Sequence, residues 1–206
     1  MSDKQMTTPR IVTIVGVGAL GSHLVQFLRN EDIIMRLIDD DRVEARNAAS
    51  QFHGKPHAGR LKVESMKQTM GLLWGTKFQV MSSRLVKDNA LQMLGGSCLV
   101  VDCLDNGASR RVLQETVRTM GLACLHGALD GEGSYGQVVW DAHFVIDDEK
   151  AVGTATCEDG RHLPFIAITA AYLASAVIRF LRGETRAGLA VTPAGAVFTH
   201  IDLPVG

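Results

Sequence analysis

Apolar positions in this chain follow two rhythms. Arg10 to Val15 reads Arg-Ile-Val-Thr-Ile-Val, a continuous β-rich run that suits a strand buried on both faces of a parallel sheet. From Leu20 to Leu28 apolar residues recur at helical spacing, and Ile34-Met35-Arg36-Leu37-Ile38 then returns to the strand pattern and ends in Asp39-Asp40-Asp41. This is a βαβ unit. The alternation goes on to predict a helix near Gly59 to Leu73, a strand near Phe78 to Ser82, a short helix near Asn89 to Leu94 and a strand over Cys98 to Asp102. A helix over Ser109 to Met120 follows, then strands near Leu122 to His126 and Gly136 to Trp140. The second of these reads as a return strand after the turn Asp130-Gly131-Glu132-Gly133, so the sheet becomes mixed here. Asp147 to His162 is polar, carries Gly153 and Gly160, and reads as a crossing loop. A helix from about Pro164 to Arg182 precedes a closing hairpin in which Ala190-Val191-Thr192 and Val197 to Ile201 flank Pro193-Ala194-Gly195. The expected architecture is a Rossmann-like, doubly wound α/β sheet, parallel in its N-terminal part and mixed toward the C-terminus, in a single domain over residues 1–206.

Length and composition narrow the function. A chain of 206 residues builds one substantial core and not two comfortable ones. Lysine and arginine total 21 against 22 acidic residues, so no broad basic field exists to gather nucleic acid or anionic lipid. No apolar run is expected to span a membrane, since Pro164 to Leu181 carries Thr169, Tyr172, Ser175 and Arg179. Met1 to Gln5 lacks the apolar stretch of a signal peptide, which points to the cytoplasm. Cys98, Cys103, Cys124 and Cys157 form no Cys-x-x-Cys pair, so neither a disulfide framework nor a four-thiolate zinc site is signalled.

Gly16-Val17-Gly18-Ala19-Leu20-Gly21 fits Gly-x-Gly-x-x-Gly between a strand and a helix, where glycines permit a tight turn and bring backbone N–H groups close to phosphate. Asp39 follows near the expected spacing, where a carboxylate accepts hydrogen bonds from ribose hydroxyls. An NAD-dependent oxidoreductase would show both features, so they predict a nucleotide without choosing it.

Later segments choose. Asp39-Asp40-Asp41-Arg42-Val43-Glu44-Ala45-Arg46-Asn47 resembles the Asp-x-Asp-x-Val-x-x-x-Asn turn of the ThiF/MoeB/HesA family. Gly59-Arg60-Leu61-Lys62-Val63-Glu64 resembles that family's Gly-x-x-Lys-Val-Glu segment, and Asp102-Cys103-Leu104-Asp105-Asn106 matches its Asp-Cys-x-Asp-Asn, with Arg110-Arg111 beyond. Gly127-Ala128 with Gly136-Gln137-Val138, and Cys157 to Gly183, continue the likeness, which spans Arg10 to Gly183. The resemblance implies an ATP- and Mg²⁺-dependent adenylyltransferase that activates the C-terminal carboxylate of a small ubiquitin-like or sulfur-carrier protein ending in Gly-Gly. It implies that Gly16, Gly18, Ala19, Gly21, Asp39, Asp41, Asn47, Lys62 and Asp102 bind the nucleotide, and that Asp105 holds magnesium. Lys62 would act on the phosphates, and Cys157 would accept the activated carboxyl group. Such chemistry gathers negative charge at the α-phosphate, so a metal, a cation and aimed donors are the residue types it needs. Family likeness and an apolar content of 46% predict a homodimer.

The pattern also breaks. Ser50 stands where relatives carry a phosphate-binding arginine, with Arg46 or Arg60 as substitutes, and the residues before Ile11 are too few and irregular to supply another. The paired Cys-x-x-Cys zinc ligands of the family are absent, so no zinc is expected. Ala19 replaces a third clustered glycine, which a helix start tolerates. These departures leave room for a slow enzyme or a nucleotide-binding partner module without catalysis; the family also allows adenylation of a small molecule or tRNA base, and the glycine loop an NAD-dependent oxidoreductase. His53 and His57 lie four apart, but Gly54 and Pro56 break the helix that would join them as ligands. His126 is expected to be a satisfied strand-end histidine, and Cys98, Cys103 and Cys124 small buried hydrophobes.

Overall fold

A computed structural model describes residues 9–146 and 160–202. Among them an eight-stranded sheet runs in the order β3-β2-β1-β4-β5-β6-β7-β8. Its strands are β1 (Ile11–Val15), β2 (Ile34–Ile38), β3 (Phe78–Met81), β4 (Ser97–Asp102), β5 (Cys124–Leu129), β6 (Gly136–Trp140), β7 (Arg186–Thr192) and β8 (Gly195–Asp202). Pairing is parallel from β3 across to β5 and antiparallel from β5 to β8, as the alternation of patterns predicts.

The continuous apolar runs are explained by helices on both faces. On β1 Val12 and Ile14 point into one core, with Leu24 of α1 (Ala19–Phe27), Met66 of α2 (Lys62–Trp74) and Leu173 of α5 (Leu163–Leu181). Val15 points into the other, with Leu94 of α3 (Lys87–Leu94) and Leu113 of α4 (Gly107–Met120). Each wholly buried leucine contributes on the order of 2 kcal/mol by leaving water.

Some boundaries move for local reasons. The second helix begins at Lys62 and not near Gly59, because Gly59 adopts φ +86° and Leu61 first makes an antiparallel bridge to Arg42. The fourth begins at Gly107, where the Asn106 side chain accepts a hydrogen bond from Ser109 N at 2.9 Å. β5 runs on to Leu129, and β7 begins at Arg186, upstream of the expected Ala190. Contrary to the sequence expectation, the 19-residue α5 is, by length and composition, long and apolar enough to cross a membrane, with a mean hydropathy of 1.7 over an 18-residue window. Phe165, Ile166, Thr169, Ala170, Leu173, Ala174, Val177 and Leu181 form its buried face in this fold. Cys157 and most of the Asp147–His162 crossing lie outside the described residues.

Candidate nucleotide site

The parallel strands β1, β2, β4 and β5 end together, and a cavity of about 320 Å³ opens over their carboxyl ends. That volume falls at the lower end of the range for small-molecule sites, about 300–1,000 Å³. The floor is the loop from β1 to α1. Gly16 takes φ +90°, and a Cβ there would stand 2.6 Å from the carbonyl oxygen of Cys103 at the end of β4. A Cβ on Gly21 would stand 1.9 Å from Gly16 O, so the first turn of α1 lies directly on the loop. Gly18 and Ala19 line the cavity, and among the described residues no side chain caps the start of α1. Uncapped N–H groups at a helix start, with the dipole behind them, suit an anion.

Asp39 ends β2 and holds this loop. Its Oδ2 accepts from Val17 N at 2.6 Å and its Oδ1 from Asp41 N at 2.8 Å. Burial raises the Asp39 pKa, although Lys62 and the two N–H donors pull the other way. Lys62 opens α2 with only 6% of its surface exposed, and its Nζ donates to Asp41 Oδ2 at 2.8 Å. Burial works against its charge, but Asp39, Asp41 and Asp105 outweigh it and the pKa is raised. Lys62 is therefore a firmly charged ammonium on the cavity wall.

Of the residues singled out from sequence, Gly16, Gly18, Ala19, Asp39, Asp41, Lys62 and Asp105 line the cavity. Gly21, Asn47 and Asp102 do not. Gly21 packs under the loop. Asn47 is buried in the 3₁₀ turn Ala45–Ala49, where its carbonyl accepts from Ser50 N at 3.2 Å and Gln51 N at 2.8 Å. The amides at the cavity are instead those of Asn106 and Gln51, and the buried Oε1 of Gln51 has no hydrogen-bond partner among the described residues. A buried polar atom left without a partner is costly, which marks the place where a polar ligand belongs.

Asp102 turns away because β4 and β5 pair it with His126. His126 Nδ1 lies 2.8 Å from Asp102 Oδ2 and Nε2 lies 3.1 Å from Asp141 Oδ1, while the ring stacks on Phe144 at 4.0 Å. Burial lowers the pKa of this imidazole, but the two carboxylates overcome it and the net shift is upward. Arg110 completes the network, donating to the carbonyls of Leu104 and Gly127 and lying 3.4 Å from Asp102 Oδ2. It ties the ends of β4 and β5 together beneath the cavity. Burial pushes the thiols of Cys98, Cys103 and Cys124 up, so they are protonated packing groups.

The ThiF family model matches residues 7–201. The chain belongs to the ThiF family. Similar curated proteins include adenylyltransferase and sulfurtransferase UBA4 of Lodderomyces elongisporus, 29% identical over 193 residues that cover 88% of this chain and 42% of that protein. The SAMP-activating enzyme E1 of Haloferax volcanii is 32% identical over 121 residues, covering 57% of this chain and 45% of its own length. This ThiF-family chain thus spans less than half of those relatives. Among solved structures, PaaA superposes with a TM-score of 0.72 at 18% identity, covering 94% of this chain and 65% of PaaA. MccB of Escherichia coli with ATP gives 0.73 at 14% identity, covering 94% and 63%. These likenesses show the fold.

Within the ThiF fold, two features of the site escaped the sequence. Ser83, Arg84 and Leu85, between β3 and α3, form part of the cavity wall, and Arg84 Nε lies 3.5 Å from Asp40 Oδ2. Neither Arg46 nor Arg60, the expected substitutes for the arginine missing at Ser50, reaches the wall: Arg46 pairs with Glu44 and Arg60 bonds Gln68. Arg84 is the exposed guanidinium that does. Second, His53 and His57 meet at Ser65 Oγ, 3.3 and 2.7 Å from their Nδ1 atoms, and His53 Nε2 lies 2.8 Å from Val17 O. His53 therefore braces the glycine loop from below.

Burial holds the His53 pKa down to about 4, against 6.5 in an unfolded chain. Between those values the unfolded state binds the extra proton, so folded stability falls as pH drops through the window, by on the order of 3 kcal/mol. His23, also lowered by burial, acts in the same direction. His126, whose pKa is raised, gives its full contribution below 6.5 and adds no slope there. Urea titrations from pH 7 to 4.5 are expected to show this loss in the wild type and a shallower loss in His53→Gln, whose amide can still donate to Val17 O. Equal slopes would remove His53 from this role.

Proposed function

We propose that this chain uses ATP and magnesium to adenylate the C-terminal carboxylate of a small ubiquitin-like or sulfur-carrier protein ending in Gly-Gly. One observation carries the reading: a buried, charged lysine is bonded to an acidic cluster beside a glycine loop, in the cavity at the start of α1. The carboxylate oxygens of Asp39, Asp40 and Asp41 come within 4.8 Å of one another, and Asp105 acts electrostatically on Lys62 from the same cavity. Such hard oxygen donors fit magnesium, which would neutralise phosphate charge when bound. Gln51 Oε1, orphaned among the described residues, fits a polar ligand beside the glycine loop. In this reading the loop and the first turn of α1 hold phosphate oxygens, Asp39 orients the ribose, and Lys62 offsets charge at the phosphates. The partner's carboxylate oxygen bonds to the α-phosphorus, the bond to the β-phosphate oxygen breaks, and pyrophosphate leaves.

The relatives are named an adenylyltransferase and an activating enzyme, which supports this reading over an oxidoreductase or a module without catalysis. Calorimetry is expected to show Mg-ATP binding and at most weak NAD binding. Tight NAD binding with undetectable Mg-ATP binding would defeat the proposal. The protein is also proposed to act as a homodimer, because Val197, Phe198 and Ile201 leave the edge strand β8 apolar and exposed. Light scattering should then give twice the 22.2 kDa chain mass, and a monomer at all concentrations would refute it.

A further inference from the structure

At the far edge of the sheet from β3, three metal-binding side chains converge on a place that the adenylation chemistry does not use. β6 ends in a 3₁₀ turn, Asp141–His143, and the last residue of that turn faces β8. His200 and Asp202 lie two apart on β8 and therefore share one face of the sheet. His143 Nε2 donates to Asp202 Oδ1 at 2.9 Å, and the rings of His143 and His200 stand 3.9 Å apart between centroids. The three ligand atoms lie within 4.8 Å of one another.

The surroundings favour a ligand here. His200 Nε2 is buried and has no hydrogen-bond partner among the described residues, whereas Nδ1 of the same ring lies 3.1 Å from Thr199 Oγ1. One ring nitrogen held by a neighbour and the other left open is the arrangement in which imidazole binds a metal. Space for the ring is made by Gly188, the cross-strand partner of His200: a Cβ there would stand 2.0 Å from His200 Cε1. Arg186, opposite Asp202 in the strand register, places its guanidinium over Trp140 at 4.8 Å and Phe180 at 5.0 Å.

We infer that His143, His200 and Asp202 form a site for a divalent first-row metal, zinc in particular, that clamps the edge strand β8 to the turn after β6. Two imidazoles and a carboxylate are a borderline donor set that suits zinc, and three protein ligands leave a fourth position for water. Bonds of about 2.0–2.2 Å to a shared tetrahedral ion place ligand atoms roughly 3.3 Å apart, so small side-chain movements suffice. Binding displaces the proton that His143 donates to Asp202 and releases it to solvent. The family's cysteine ligands, absent here, belong to a different donor class. The ion would also steady Asp141, which lies in the same turn and bonds His126 and Arg118.

The test uses the full chain without a histidine tag, stripped with a chelator and kept reduced. Zinc added to it is expected to bind at one ion per chain, raise the melting temperature, and lose that effect on adding EDTA. Cobalt in place of zinc should give the visible spectrum of a four-coordinate nitrogen and oxygen site. His143→Ala, on an exposed turn, and Asp202→Asn, which keeps the side-chain shape, should each abolish the melting shift while leaving the melting temperature of the metal-free protein within a few degrees of wild type. Absence of zinc uptake by the wild type would overturn the inference. So would uptake that survives both substitutions, since the metal would then sit elsewhere, for instance on Asp39 to Asp41.

Discussion

Lys62→Met is expected to lower partner-dependent ATP–pyrophosphate exchange by about 10²- to 10³-fold, the loss found when one preorganised electrostatic donor is removed from a site of charge development. Methionine keeps the unbranched stem, which is buried at the first turn of α2, and removes only the ammonium. Folding should barely change. The Lys62–Asp41 pair has a carboxylate side chain 60% exposed, and ion pairs screened in this way contribute about 0–1 kcal/mol. The acidic cluster would respond more. Without the ammonium, the cation that opposes burial at Asp39 is gone, so its carboxyl should titrate still higher. Exchange is measured with Mg-ATP and a small carrier protein ending in Gly-Gly. A rate within about threefold of wild type, with the fold intact, would remove Lys62 from the phosphates.

Much of this site could be read from sequence because its motifs sit at strand ends. The runs at β1, β2 and β4 are mostly apolar, so their ends are sharp, and Gly16, Asp39 and Asp105 fall just beyond them. What joins those ends is sheet order, and the Gly-x-Gly-x-x-Gly turn implies it by requiring adjacent parallel strands. Residues that reach the cavity from elsewhere were not legible. Ser83 and Arg84 follow the short edge strand β3, two strands from β1, and nothing in their local pattern tells that this loop folds inward. Asn47 and Gln51 illustrate a second limit. Resemblance to the family's acidic turn draws attention to Asn47, but a 3₁₀ turn buries it and Gln51 reaches the wall four residues later. Asp102 illustrates a third, because the strand register that pairs it with His126 is a tertiary fact. A motif carboxylate can hold the scaffold and never touch the ligand.

Gly21→Ala should damage both fold and site, although alanine is ordinarily the better helix former by about 1 kcal/mol. The gain is overridden by contact: the new methyl would stand 1.9 Å from Gly16 O and 3.0 Å from Gly16 C, and neither backbone atom can rotate away. Either α1 lifts off β1 or the loop opens. Overpacking of this kind costs roughly 3 kcal/mol, which for a chain of this length is a fall in melting temperature on the order of 10 °C. Because Gly16 also rests on Cys103, and Val17 is held by Asp39 and His53, a displaced loop carries the whole phosphate floor with it. Mg-ATP affinity should fall on the order of 10²-fold, as for a misplacement of about 1 Å. Gly75→Ala separates this from ordinary strain. Gly75 ends α2 at φ +67°, and a methyl added there would meet nothing within 4 Å. Alanine at that position costs only the left-handed backbone, about 1–2 kcal/mol, and should leave Mg-ATP binding unchanged. If Gly21→Ala behaves like Gly75→Ala, the loop is not held by the close approach of Gly21 to Gly16.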